Sequence, residues 1–324
     1  KNLKNVIRIL RKKANEAEEM KTIVSSASAE AIVSGFPPTP ILDLTFRKGN
    51  RISELSFVNF YVGNSESWNQ ADIKSIDFAL AAAMSDRDLN NVMVQYFPTD
   101  ITSTFIRSQF IPGTHPKKFF KDDVENLVRR LYSDPSAKLH TYDLNNTVFN
   151  FMLPSGTMLT DANRTDANRA QEQLEEVSDS NNGLGGFHGL VEVQGNVTIY
   201  YAVGVYSETL PDQTDNGLVA FDRPWKNIVA TFYHELNEAR TDPDVNHRAL
   251  GWYSDGWKIG NATGGEIGDI PIDEAQALFQ DFKVVFKEVP LTDGTGTVPI
   301  QFQYSNAVHG PEGPRSTPAP HSSK

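Results

Sequence analysis

The sequence predicts an α+β fold in which one twisted, mixed β-sheet packs against a long, mostly apolar helix. Three stretches rich in β-branched and aromatic residues indicate strands of that sheet, namely Leu55–Gly63, Thr147–Leu153 and Val191–Ser207. The segment 224–243 spaces its apolar residues as a helix does. A chain of 324 residues is long enough to bury a sizeable core around these elements.

The N-terminal part of the chain is expected to be an amphipathic helix within residues 1–35. Apolar residues from Leu3 to Leu10 follow helical spacing, and the charges then pass from basic to acidic. The proline-rich segment Phe36–Pro40 ends this helix and links it to the main domain. We expect Lys1 to begin a processed form or a fragment, because no hydrophobic signal region precedes it.

The main domain continues with elements that the local pattern predicts in order. Ile41–Phe46 has the composition of a strand, and residues 72–84 and 117–132 have the 3.6-residue spacing of helices. A Gly-Asn pair inside the third strand-rich stretch predicts a hairpin turn there. The end of the chain, residues 308–324, is rich in Pro, Ser and Gly and predicts a disordered tail. Residues 36–307 then form a single α+β domain.

The composition excludes several classes of function. With 41 acidic and 30 basic residues the net charge is -11, which argues against nucleic acid as a partner. The chain contains no cysteine, so disulfides, thiolate nucleophiles and Cys-ligated metals are excluded and a metal must use His, Asp or Glu. The longest apolar run, residues 78–84, is far too short to span a membrane.

The helix predicted at 224–243 carries the residues that point to chemistry. His234 and Glu238 are four residues apart, which places them on one side of the helix about 6 Å apart along its axis. A single cation can contact both. Glu235 follows His234 directly, at the position that the general base occupies in H-E-x-x-H metalloproteases. The same spacing also occurs as a plain hydrogen-bonded pair on a helix, but a buried charge needs a partner.

A third ligand is needed to complete a cation site with an open position. Glu266 is the preferred one, because glycines flank it, and Asp269 serves either as a ligand or as the group that orients His234. Asp242 lies too far along a continuous helix and is expected to be a cap or an outer-shell group. Asp244, ten residues after His234, remains an alternative ligand.

A second histidine stands in the glycine-rich segment 185–189. His188 has three interpretations, as a group that polarises the substrate, as a metal ligand, or as a loop histidine whose hydrogen bonds are satisfied locally. The residue type and its glycine neighbours do not choose among them.

Six motifs occur in one order along the chain: GGFHG, YYAVGVYSE, HELNEARTDP, GWYSDG, GGEIGDIP and VPIQFQYSNA. This succession resembles the EXORDIUM and phosphate-induced-protein group, together with related bacterial secreted proteins whose hallmark is H-E-x-x-E-A-x-T-[DN]-P. The similarity covers roughly 41–307 and is strongest over 187–271. The cysteines that are usual near two of these motifs in the family are absent here, which places the chain closer to a microbial branch.

The resemblance implies a secreted, extracellular protein with a zincin-like fold and metal site. Carried over by position, His234, Glu235 and Glu238 match the helix motif. Glu266 and Asp269 match the E-I-x-D motif, and His188 matches the G-F-H.

We therefore predict a metal-dependent, peptidase-like hydrolase. Zinc is the expected metal, with Mn²⁺ or Ca²⁺ as alternatives for so carboxylate-rich a ligand set. Glu235 is the predicted general base, and His188, Tyr253 or Tyr233 are candidates for stabilising the developing oxyanion. The expected partner is a peptide or a cell-wall or glycan substrate, and the sequence makes no prediction of oligomeric state.

The alternative function is non-catalytic. In this hypothesis the same acidic residues and histidines hold a structural cation in a secreted, cell-wall-associated binding protein. Trp252, Tyr253 and Trp257 then form a platform for a carbohydrate or a peptide.

Overall fold

A five-stranded β-sheet lies at the centre of the computed structural model. Its strand order is β3-β2-β5-β8-β7, where β2, β3, β5 and β8 run parallel and the edge strand β7 pairs antiparallel with β8. The strands are, in chain order, β1 (Thr45–Phe46), β2 (Glu54–Val62), β3 (Thr102–Ile111), β4 (Lys118–Phe119), β5 (Thr147–Met152), β6 (Met158–Leu159), β7 (Gly186–Val193), β8 (Val197–Gly204), β9 (Glu208–Thr209), β10 (Asp215–Asn216), β11 (Trp252–Tyr253), β12 (Phe286–Pro290), β13 (Thr297–Gln301), β14 (Gln303–Ser305) and β15 (Gly310–Glu312).

The structure describes residues 32–113, 115–166, 178–244, 249–258 and 265–313. Helices in these ranges are α1 (Gln70–Ser85), α2 (Lys121–Ser133), α3 (Pro224–Thr241) and α4 (Asp269–Phe279). The helix predicted within residues 1–35 falls almost entirely outside the described part of the chain. No helix within the described ranges has the length and apolar character that crossing a bilayer requires.

The central strands are apolar on both sides because helices cover both faces of the sheet. Phe57 and Tyr61 of β2 belong to the core that also contains the buried faces of α1 and α3. Val58 and Phe60, which point to the opposite face, belong to a second core with the buried residues of α2. The predicted mixed sheet is confirmed, and its core is mostly parallel, so the arrangement is a mixed α/β one.

Helix α3 lies inside the molecule. Pro224 begins it, as predicted, and every residue from Asn227 to Thr241 is buried. The helix packs against β7 and β8 of the sheet, α1 and β13. Arg223 holds the N-cap position, and Asp222 before it pairs with Lys226 at 2.8 Å. A helix buried all round has to satisfy the charges that it carries.

Elements near the C-terminal end of the described residues join the domain. Strands β12 and β13 form a hairpin next to α3, and α4 begins directly after the GGEIG segment. The prediction of a disordered tail from residue 308 is wrong for residues 308–313, because Gly310–Glu312 forms a strand that pairs with Gln303–Ser305. Residues 314–324 lie outside the described residues. The domain boundary predicted at 307 therefore moves to at least 312.

One predicted strand is shorter than expected. Pro40–Leu42 forms a 3₁₀ turn, and only Thr45–Phe46 of the predicted stretch 41–46 is extended. Proline begins that turn because its ring fixes a backbone angle that suits a helical turn. The short strand pairs with Trp252–Tyr253 and so ties the segment before the sheet to the region that follows α3.

Candidate metal centre

Helix α3 carries three of the predicted site residues on adjacent turns. His234 Nε2 lies 3.1 Å from Glu238 Oε2, the contact that a spacing of four residues predicts. Glu235 Oε1 lies 4.0 Å from the same nitrogen. The residues His234, Glu235 and Glu238 are 8%, 4% and 3% exposed, so this polar group is held inside the protein.

The GGEIGD segment closes one side of the group. The backbone N–H groups of Gly268 and Asp269 both donate to Glu238 Oε1 at 3.0 Å, which leaves Oε2 to face the histidines. Asp269 Oδ1 lies 3.7 Å from His234 Nε2. A Cβ atom at Gly268 would lie 2.5 Å from His234 Nδ1, so only glycine allows this close approach.

Strand β7 brings His188 to the opposite side of the group. His188 Nδ1 lies 3.3 Å from Glu235 Oε2 and 3.6 Å from Glu238 Oε2. Its Nε2 lies 3.1 Å from the backbone oxygen of Asp242 and 3.4 Å from Glu266 Oε1. Both nitrogens of the ring therefore face oxygen atoms, and three of these four oxygens belong to carboxylates.

Gln301, at the end of β13, is a site residue that the sequence did not reveal. Its side-chain oxygen lies 2.6 Å from His234 Nδ1, and its side-chain Nε2 donates to the backbone oxygen of Gly268 at 2.5 Å. The second bond fixes the orientation of the amide, so Nδ1 of His234 carries the hydrogen. A neutral His234 then presents the lone pair of Nε2 to Glu238 and Asp269, as a metal-ligating histidine does.

The ligand atoms fall into two groups that share one residue. His234, Glu238 and Asp269 offer three atoms that all lie within 4.8 Å of one another, and His188, Glu238 and Glu266 offer a second such set. Asp269 thus joins the histidine of the helix, whereas Glu266, the preferred third ligand, lies beside His188. All six predicted site residues come together, because Glu235 contacts both histidines.

The charges in the cluster strongly perturb its histidines. Burial lowers the pKa of His188, but Glu266, Glu235 and Glu238 outweigh burial and raise this pKa to about 10. For His234, burial is again outweighed by Glu238, Glu235 and Asp269, and the pKa lies well above its ordinary value. Without another cation, the site therefore holds protons on both rings.

The surroundings raise the pKa of two carboxyl groups in the cluster and lower the pKa of a third. Burial and the charge of Glu238 raise the pKa of both Glu266 and Asp269 well above their ordinary values. Burial also raises the pKa of Glu238, but the two histidines outweigh it and the net shift is downward. Glu238 is thus the anionic centre around which the other groups share protons.

Among the described residues, no lysine or arginine forms an ion pair with Glu235, Glu238, Glu266 or Asp269. A buried carboxylate cluster with imidazoles and no fixed positive side chain fits a divalent cation. The oxygen and nitrogen donors suit zinc, manganese or calcium.

Asp242 has the outer role that the sequence suggests. Its backbone N–H donates to the backbone oxygen of Glu238 at the C-terminal end of α3. Its own backbone oxygen lies 3.1 Å from His188 Nε2. Its carboxylate accepts from the N–H of Gly251 at 2.8 Å, and burial raises its pKa to about 6. Asp244 belongs to neither group of candidate ligands among the described residues.

The aromatic candidates differ in where they lie. Tyr233 is buried and donates to Asn90 Oδ1 at 3.1 Å, which directs its hydroxyl away from the histidines. Tyr253 is half-buried beside the GGEIGD segment, and its pKa is raised by burial and by Glu266. Trp252 is 6% exposed and donates to the backbone oxygen of Tyr96, so it is a core residue and forms no exposed platform. The side chain of Trp257 lies outside the described part.

Comparison of the chain with protein families, curated proteins and solved structures finds no match. The resemblance to the EXORDIUM group, and the secreted location and zinc site that it implies, therefore stay predictions.

Proposed function

We propose that the protein is a metal-dependent hydrolase, peptidase-like in mechanism, with a cation held by His234, Glu238 and Asp269. The observation that carries the proposal is the spacing of the ligand atoms, with 3.1 Å and 3.7 Å from His234 Nε2 to the two carboxylates. Ligands about 2.1 Å from a tetrahedral zinc ion are roughly 3.4 Å apart. Zinc is the first choice, and Mn²⁺ or Ca²⁺ are the alternatives.

The outer contacts support this ligand set. Gln301 holds the hydrogen of His234 on Nδ1, and the two backbone N–H groups on Glu238 Oε1 hold that carboxylate with Oε2 toward the site. Groups that orient metal ligands in this way are a regular feature of metal centres. A zincin-like fold is part of the proposal, supported by the H-E-x-x-E helix packed against a sheet.

Glu235 is the proposed general base. A divalent cation in the site lowers the pKa of a water molecule and polarises a substrate carbonyl. Glu235 accepts the proton of the attacking water, and its oxygens lie 3.3 Å from His188 Nδ1 and 4.0 Å from His234 Nε2. After attack it returns the proton to the leaving group.

His188 and Tyr253 are the proposed partners of the substrate oxygen. A protonated His188 donates a hydrogen bond to negative charge that develops beside Glu235. Tyr253 stands at the half-buried side of the site, where the side chains of Glu266 and Asp269 are 15% and 28% exposed. A peptide or glycan chain approaches from this more exposed side.

Metal content and turnover of two glutamine variants test the proposal. Wild type dialysed against zinc is expected to retain metal and to cleave members of a fluorogenic peptide library. Glu235→Gln should keep the metal and lose at least about 100-fold in rate, whereas Glu238→Gln should lose the metal. Glu274→Gln is the control, because Glu274 is an equally buried glutamate on α4 that belongs to neither ligand group.

The same experiment separates the non-catalytic alternative. If a chelator lowers the melting temperature but no peptide, ester or glycan is cleaved, the cation is structural and the hydrolase proposal is wrong. The core position of Trp252 already removes one member of the aromatic platform that this alternative required.

A further inference from the structure

Glu238 Oε2 stands between two histidines that come from different elements. It lies 3.1 Å from His234 Nε2 on one side and 3.6 Å from His188 Nδ1 on the other. The other oxygen of the carboxylate, Oε1, accepts hydrogen bonds from the backbone N–H groups of Gly268 and Asp269. One oxygen atom therefore faces both imidazole rings.

Each imidazole points a nitrogen at carboxylate oxygens, where either a proton or a metal ion can lie between the two atoms. Nδ1 of His234 donates to Gln301, so its Nε2 faces Glu238 Oε2 with a lone pair when the ring is neutral. Both nitrogens of His188 face oxygens, and a neutral ring carries a hydrogen on only one of them. A proton fills each of these contacts in the metal-free protein, and a metal ion that replaces the proton would bind the same nitrogen and carboxylate.

The charge of the cluster agrees with this count. Glu235, Glu238, Glu266 and Asp269 are four carboxylates that meet no lysine or arginine ion pair among the described residues. Protons balance these four negative charges in the metal-free protein, and two divalent cations would balance the same charge once the protons leave. Buried ions are stable only when compensated in this way.

We propose that the site binds two divalent cations bridged by Glu238 Oε2. The first would be held by His234, Glu238 and Asp269 and the second by His188, Glu238 and Glu266, because in each set one ligand atom per residue lies within 4.8 Å of the other two. This inference rests on the proposed metal-dependent hydrolase and makes its second histidine a ligand in place of the donor role given above, which then falls to Tyr253 alone. Pairs of metal ions that share a carboxylate stabilise both the attacking and the leaving oxygen of a displacement.

Metal stoichiometry tests the second ion. After loading with Mn²⁺ and removal of free metal, wild type should contain about two ions per chain by plasma mass spectrometry. Glu266→Gln and Asp269→Asn should each contain one, and Glu274→Gln should still contain two. One ion in wild type, unchanged in Glu266→Gln, would overturn the inference and leave the hydrolase proposal standing. Two ions without turnover of any substrate would overturn the hydrolase and support the pair.

A spectroscopic measurement on wild type avoids variants that fail to fold. Two Mn²⁺ ions that share one carboxylate oxygen are magnetically coupled, so the electron paramagnetic resonance spectrum should change shape between half and full loading. Glu274→Gln should behave in the same way. A spectrum that stays that of isolated Mn²⁺ at full loading contradicts the bridge.

Discussion

Gln301 Oε1 accepts the hydrogen of His234 Nδ1 at 2.6 Å, so a residue on β13 determines which nitrogen of the helix histidine is free. The same side chain donates to the backbone oxygen of Gly268, next to the two N–H groups that bind Glu238. One glutamine thus joins the helix histidine, the GGEIGD segment and the ligand carboxylate.

Gln301→Leu should weaken cation binding about 10-fold to 100-fold, because His234 loses the group that orients it. Isothermal titration of the metal-free protein with Zn²⁺ measures the change. Gln276→Leu is the matched control, since Gln276 is exposed on α4 and should bind as wild type does. Equal affinities for the two variants would show that Gln301 does not position the ligand.

Gly268→Ala should also impair binding, for a steric reason. The added Cβ would lie 2.5 Å from His234 Nδ1 and 2.9 Å from Glu238 Oε1. Both ligand side chains would have to move away from the new methyl group. Gly113→Ala is the control, because a Cβ there meets no atom within 4 Å. We expect weaker Zn²⁺ binding in the first variant alone, and unchanged binding in both would contradict the close approach.

Removal of the cation should destabilise the fold. A ligand that binds only the folded state at 100 times its dissociation constant adds about 2.7 kcal/mol to the free energy of unfolding. A chelator should therefore lower the melting temperature of wild type and leave that of Glu238→Gln almost unchanged. A chelator effect of equal size in both proteins would place the cation elsewhere.

A pH effect is expected at Glu274, away from the candidate site. Burial raises its pKa from the ordinary 4.5 to about 8, and its carboxyl accepts from Thr39 Oγ1 and lies near Asp273. Between these values the folded state keeps the proton and the unfolded chain loses it, so stability falls as the pH rises. Glu274→Gln cannot titrate and should gain stability relative to wild type between pH 5 and pH 8.

Urea unfolding at both pH values measures this difference. The free energy of unfolding of Glu274→Gln minus that of wild type should be larger at the higher pH. A difference that is the same at both would mean that Glu274 titrates normally in the folded state.

The part of the site on α3 was predictable because its signal is local. His234, Glu235 and Glu238 stand within five consecutive positions, and helix geometry alone brings them together. Glu266 and Asp269 were found through flanking glycines and the resemblance, but their division between two histidines depends on where β7 lies. That placement is a property of the whole sheet.

Gln301 could not be found in this way. It lies 67 residues after His234, and a glutamine is not a residue type that suggests a metal site. Strand β3 was missed because it lies at the sheet edge and most of its residues are partly exposed, which leaves no apolar run. Helix α4 was missed although Pro271 in its first turn is a helix-start signal.

Anomalous diffraction from a crystal soaked in Zn²⁺, recorded at the zinc absorption edge, tests the proposed metal centre most directly. We predict an anomalous peak within about 2.3 Å of His234 Nε2 and Glu238 Oε2, with Asp269 completing the contacts. A fully soaked crystal with no peak between these atoms, or with its strong peaks only elsewhere, would contradict the metal centre.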